Sequence, residues 1–160
     1  MTKKINLKAV LRYPGETVYL KYIRAQVSGF AHELKYSNEE IVKLELSTDE
    51  ACTNVVEHSY KNGINSTFPQ RRKEDRIANP VDVLIEANEN EYRISVTNRG
   101  VDFDPIVFKL KSDSLEEKIR KEKVEGYGIV FITTLMDKVE YIHDHEVGNI
   151  LSMVYYKKQK

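Results

Sequence analysis

The sequence predicts an α+β fold, a two-layer sandwich in which helices cover one face of a largely antiparallel sheet. Three observations predict it. Five runs alternate apolar and polar residues with the period of strands. Three longer runs place apolar residues at helical spacing. Their order along the chain is strand, two helices, two strands, helix, two strands, with adjacent strands close enough to form hairpins.

Each element has its own justification. From Lys4 to Leu11, Ile5, Leu7, Ala9 and Leu11 alternate with Asn6, Lys8 and Val10, and the lysines suit a sheet edge. Tyr13-Pro14-Gly15 punctuates. Val18, Tyr22, Ile23, Val27, Phe30, Ala31 and Leu34 recur at helical spacing, which predicts an amphipathic helix over about 16–34. Ser37 with Glu40 three residues on has the pattern of a capping box and opens a second helix. Ile41, Leu44, Thr48, Cys52, Val55 and Val56 form its apolar face. At about 100° per residue, Glu50, Asn54 and Glu57 fall on the other side, toward solvent or a cleft.

Residues 61–79 read as a long loop with a charged run at 71–76, and such a loop is a functional or mobile segment. Val81–Ala87 and Tyr92–Val96 are predicted strands joined through Asn88-Glu89-Asn90. The second ends in Asn98-Arg99-Gly100. The charged stretch from Ser112 to Lys123 reads as a short helix or a lid, and Gly126-Tyr127-Gly128 leads into a third helix carrying Ile129, Phe131, Ile132, Leu135 and Met136. Val139–Ile142 and Asn149–Tyr156 close as a hairpin around Glu146-Val147-Gly148.

Composition bounds the function. The chain has 160 residues, 41% apolar and 31% charged, with formal net charge zero. That length suits one domain with a real core. Zero net charge argues against a general nucleic-acid binder. The single cysteine, Cys52, allows no internal disulfide, and no apolar run is long enough to span a membrane. The expectation is a cytoplasmic protein with no membrane and no direct nucleic-acid partner.

Chemistry is concentrated in three places. Glu50 and Asn54, four residues apart, stack about one helical turn from each other. They set a carboxylate able to take a proton beside an oxygen ligand for a hard cation. The turn at Asn98-Arg99-Gly100, with Phe103 behind it, stands at a strand's mouth. Gly126-Tyr127-Gly128 precedes a helix whose start can approach phosphate. Taken alone, each has a bland reading: solvated helix surface, a hairpin end, a flexible linker.

Together they resemble a known family. Glu50-Ala51-Cys52-Thr53-Asn54 through His58-Ser59-Tyr60 resembles the asparagine box of GHKL (Bergerat-fold) ATP-binding domains, and more narrowly that of RsbW-type anti-sigma-factor serine/threonine kinases. Asn98-Arg99-Gly100-Val101-Asp102-Phe103-Asp104-Pro105 resembles the first glycine box. Gly126-Tyr127-Gly128-Ile129 through Leu135-Met136-Asp137 resembles the second. The resemblance spans nearly the whole chain. It implies one ATP-binding kinase domain over 1–160, with a lid at about 106–125.

The resemblance also implies roles. Glu50 is the general base toward a partner's hydroxyl. Asn54 is the magnesium ligand. Asn98, Gly100 and Phe103 line the adenine side, and Gly126, Tyr127, Gly128 and Ile129 cradle phosphates. Lysines and arginines between 109 and 123 close over the triphosphate. The cofactors implied are ATP and Mg²⁺. The implied partners are a STAS-type anti-anti-sigma protein as substrate, a sigma factor, and a second copy of the chain. His58 reads as structural, and Cys52 as core. The chain departs from the pattern at Asn98, where the family has Asp, at Asp102, where it has Gly, and at Asn149, where its Gly-Thr pair has Thr. These departures keep a second reading open: a regulatory module of the same fold that acts by contact without catalysis.

Overall fold

The computed structural model describes residues 6–56, 80–99 and 127–158. The loop at 61–79, the lid region at 106–125, and Gly100, Phe103 and Gly126 lie outside the described residues, as do Glu57 and His58.

Among the described residues five strands form a single sheet: β1 (Asn6–Pro14), β2 (Pro80–Asn88), β3 (Glu91–Asn98), β4 (Lys138–Asp144) and β5 (Gly148–Tyr156). Their order across the sheet is β1-β2-β3-β5-β4, and every neighbouring pair is antiparallel. β1 is an edge, as its lysines predict. Along β2 and β3 strictly alternate residues are buried. That alternation is the signature of a sheet with one face packed. Among the described residues three helices belong to the other layer: α1 (Leu20–Glu33), preceded by a 3₁₀ turn at Thr17–Tyr19, α2 (Asn38–Asn54) and α3 (Tyr127–Leu135). The α+β sandwich expected from the sequence is therefore the fold observed.

Local chemistry explains the boundaries. Ser37 Oγ accepts from the Glu40 amide at 3.3 Å, and Glu40 Oε2 accepts from the Ser37 amide at 2.7 Å, so the predicted capping box forms at the start of α2. Glu40 Oε1 also accepts from the Lys158 amide at 3.3 Å, tying the end of the chain to the same helix. Burial opposes the charge on Glu40, but the hydrogen bonds from Ser37 and Lys158 outweigh it and hold its carboxyl below the usual range. At the β2–β3 turn, Asn88 Oδ1 accepts from the amides of Asn90 and Glu91, a side chain standing in for a backbone turn. Gly148 opens β5 at φ +109°, where a side chain would strain the backbone and would also overlap the Asn98 carbonyl.

The core lies between the layers and includes Ile23, Val27, Leu44, Val83, Ile85, Ile94, Val96, Ile132 and Met153. Two residues assigned to the first helix's apolar face fall elsewhere: Val18 and Tyr22 are about half exposed. Tyr22 instead stacks on Tyr13 of β1, with ring centroids 6.0 Å apart. Phe131 is likewise exposed, because α3 turns Ile129, Ile132 and Met136 inward and leaves Phe131 on the opposite side.

The two ends of the sheet differ in chemistry. One end holds a buried tyrosine group. Tyr36 meets Tyr92 edge-on at 5.7 Å, and the Tyr92 hydroxyl donates to the Val27 carbonyl at 2.8 Å. At the other end the buried face of β3 and β5 finishes in Asn98 and Asn149. α2 starts near the tyrosine end, where Glu40 holds Lys158. α3 finishes there, where the Asp137 amide donates to the Val154 carbonyl. The last turns of α2 and the first turn of α3 are thus carried toward the asparagine end.

Candidate functional site

α2 presents two neighbouring carboxylates near its end, Asp49 and Glu50, and the structure separates their roles. Consecutive helical residues point about 100° apart. Asp49 turns toward α1, where Arg24 grips it with both prongs of the guanidinium, Nε to Oδ1 at 3.3 Å and Nη2 to Oδ2. The same pairing raises the Arg24 guanidinium above its ordinary pKa, through the hydrogen bond first and charge attraction second. A second tie between α1 and α2 runs from Ser28 Oγ to the Glu45 carboxylate. Asp49 is thereby committed to joining the two helices. Glu50, half buried, turns toward α3.

There it meets Gly128. A Cβ at position 128 would overlap Oε1, Cδ and Cγ of Glu50, so any larger residue there would have to displace that carboxylate from its present position. Two motifs far apart in sequence are brought into direct contact. One turn beyond Glu50, Asn54 is half buried at the last residue of α2, and the winding widens through Val55 and Val56. Tyr127 opens α3. Ile129 is 4% exposed and packs in the core, so its backbone, not its side chain, is what it offers a ligand.

Asn98 occupies the end of β3, 6% exposed, with Asn149 of β5 as its cross-strand partner. Asn149 Nδ2 donates to Asn98 Oδ1 at 3.3 Å, and Asn149 Oδ1 lies 2.6 Å from Nδ1 of His143 in β4. Asn149 was noted in the sequence only as a departure from a family pattern, and His143 was not singled out. Their signal was register: the β4–β5 turn fixes which residues of β4, β5 and β3 stand in line. That turn is braced by Asp144, whose Oδ1 accepts from the amides of Glu146 and Val147. The two bonds hold its carboxyl below the usual range.

Cys52, two residues from Glu50 and from Asn54 on the other face of α2, is fully buried, and burial pushes its thiol up to about 12. A protonated thiol in the core is no nucleophile near neutral pH, so Cys52 is a packing residue.

The arrangement suits a phosphate-bearing ligand. The start of α3 is where a helix N-terminus favours an anion, and the Glu50 carboxylate stands against it at Gly128. For a cation, no group of three or more His, Cys, Asp or Glu side chains converges among the described residues. Glu50 and Asn54 fit a magnesium ion that takes most of its oxygens from phosphate and water, the usual coordination of that ion beside nucleotides. Among the described residues no helix is long and apolar enough to cross a membrane.

Comparison with known proteins shows the family to which the chain belongs. Residues 13–155 match the family described as the histidine kinase-like ATPase domain, and the chain belongs to that family. A serine-protein kinase RsbW from Halalkalibacterium halodurans is 32% identical over 142 residues, 88% of this chain and 77% of that protein. Serine-protein kinase RsbW from Bacillus thuringiensis is 23% identical over 154 residues, 95% of this chain and 88% of that protein. Among solved structures, a chain of the SiaB–SiaC complex from Pseudomonas aeruginosa has the same fold, with a TM-score of 0.58 at 14% identity over 92% of this chain and 88% of that one.

Proposed function

We propose that this protein is an ATP- and Mg²⁺-dependent serine/threonine protein kinase of the anti-sigma type, folded as one domain, which phosphorylates a small STAS-type antagonist in a partner-switching circuit. The observation that carries the reading is the seat of Gly128 on Glu50, which joins a carboxylate to the first turn of α3. The likeness to proteins named serine-protein kinase RsbW supports the reaction class. The likeness to a chain from a two-protein complex is compatible with a protein partner. Sequestration of a sigma factor, homodimerisation and a cytoplasmic setting belong to the same proposal.

In this reading Glu50 accepts the proton of the partner's incoming hydroxyl at a carboxylate oxygen. Asn54 gives its amide oxygen to Mg²⁺. The backbone around Gly126, Tyr127, Gly128 and Ile129 holds the phosphates, while Asn98, Gly100 and Phe103 contact the base. ATP, when bound, supplies the phosphoryl group, and the protein contributes position and charge neutralisation. A second reading, regulation by contact without catalysis, has its own observation. The base side carries the uncharged pair Asn98–Asn149, with no carboxylate at position 98.

Calorimetric titration with ATP and Mg²⁺, followed by transfer to an antagonist, tests the proposal. Wild type is expected to bind and transfer, Glu50→Ala to bind without transfer, and Asn54→Ala to lose most of its magnesium-dependent affinity. No binding by wild type would sink the kinase reading. Binding by wild type without transfer would favour the contact module. Transfer by Glu50→Ala would remove Glu50 from the role of base.

A further inference from the structure

The contact between Glu50 and Gly128 also fixes how α2 and α3 lie side by side. α2 starts and α3 finishes at the tyrosine end, so the two run antiparallel. One turn back along α2 from Glu50 is therefore level with one turn on along α3 from Gly128. Leu46 holds the first position and Phe131 the second. At about 100° per residue, Leu46 stands about 40° from Glu50, on the side away from the buried Leu44 and Ser47. Phe131 stands about 60° from Gly128, on the side away from the buried Ile129 and Ile132. Both side chains face outward across one seam, and Val42 continues it a turn further along α2.

Val42 is 49% exposed, Leu46 50% and Phe131 56%. One exposed apolar side chain needs no explanation, but three in one seam mark a surface that something covers. The seam is bounded. At its far end Lys43 Nζ meets Glu39 Oε1 at 2.6 Å, so the charges there are matched within α2. At its near end stands Glu50. An apolar centre with a polar rim is the layout of a protein interface.

The chemistry proposed for Glu50 says what covers the seam. Phosphoryl transfer sets the incoming hydroxyl and the leaving oxygen on opposite sides of the phosphorus. The nucleotide lies toward Asn54 and the asparagine end in that reading. The hydroxyl whose proton Glu50 takes then approaches from the other side, over the turn that carries Leu46. A protein that brings a side-chain hydroxyl to a half-buried carboxylate must lie on the neighbouring turns, and on this side those turns are the seam.

We propose that Val42, Leu46 and Phe131 form the docking surface for the phosphoacceptor protein. The partner presents apolar side chains about 6–12 Å from its serine or threonine, the distances of Leu46 and Val42 from Glu50 along α2. The inference rests on the proposed kinase reading and deepens it by locating the partner. Leu46 and Phe131 are binding residues with no part in the chemical step.

The probe is a STAS-type antagonist that wild type phosphorylates in the transfer assay above. Leu46→Ala combined with Phe131→Ala is expected to raise the KM for that protein about 10-fold, the cost of losing two anchors of an interface. The kcat at saturating antagonist and the Kd for ATP are expected to stay as in wild type, since only ground-state binding is removed. Ile142→Ala, exposed at the far edge of the sheet, should leave all three values unchanged. Both replaced side chains are half exposed, so the double variant is expected to fold, and each single variant keeps the test open if circular dichroism shows that it does not. An unchanged KM overturns the docking surface and leaves the kinase proposal standing, as does a fall in kcat with KM unchanged. Sedimentation of wild type and double variant alone is expected to give the same oligomeric state. A lower state in the variant assigns the seam to a second copy of the chain and overturns the proposal. Absence of transfer from wild type to any antagonist overturns the kinase reading and the docking surface with it.

Discussion

Gly128 has the sharpest consequence of any single residue. Because a methyl group there would overlap the Glu50 carboxylate, Gly128→Ala must displace either Glu50 or the start of α3. On the proposal that Glu50 is the base, a displacement of about 1 Å can cost on the order of 100-fold in rate, and phosphoryl transfer is expected to fall by about that factor. Circular dichroism should still report a folded chain, since one methyl group at a half-exposed helix start does not disturb the core. Transfer at the wild-type rate would show that the contact with Glu50 plays no part in the reaction. Asp49 illustrates the opposite case. It adjoins Glu50 in sequence, yet its bidentate pair with Arg24 makes it a fastener between helices. Residue type alone does not distinguish these two carboxylates. The 100° step of the helix does, once α1 and α3 are in place on either side.

Among the elements, α2 is the one whose ends were written most plainly. Ser37 and Glu40 form the capping box their spacing announces, and the Lys158 amide is a third donor to the same carboxylate. The folded state lowers the Glu40 pKa, so its contribution to stability has a definite sign. The contribution is fully present above the ordinary value of 4.5 and is lost as pH falls below it. The melting temperature of wild type is expected to drop more steeply between about pH 6 and about pH 3 than that of Glu40→Gln, which keeps a capping side chain but has no carboxyl to protonate. Parallel curves for the two proteins would refute the assignment. The first helix was less legible. Its periodicity counts Val18 and Tyr22 as core, but Thr17–Tyr19 winds as a 3₁₀ turn, which shifts the angular register of everything before Leu20. Tyr22 then stacks on β1, a contact that no periodicity within the helix could announce.

Across the whole molecule, stability is concentrated where the layers meet. Ile94 sits in β3, the central strand, and is fully buried. Ile142, in the edge strand β4, is 50% exposed. Ile94→Ala is expected to cost about 2–5 kcal/mol in urea denaturation. Ile142→Ala should stay within about 1 kcal/mol of wild type. Equal losses would mean that the sheet does not bury one face as described. The sequence by itself determined the element order, the hairpins, the α2 cap and the antiparallel α+β class, because periodicity and turn chemistry are local properties. It also carried Glu50 and Asn54 as a pair, since four residues on a helix always stack. Tertiary structure alone decided that Glu50 rather than Asp49 meets the glycine of α3, and that Asn98, Asn149 and His143 stand in one hydrogen-bonded line. Both depend on which strands and helices become neighbours, and those neighbours are chosen by burial of the common core rather than by any local signal.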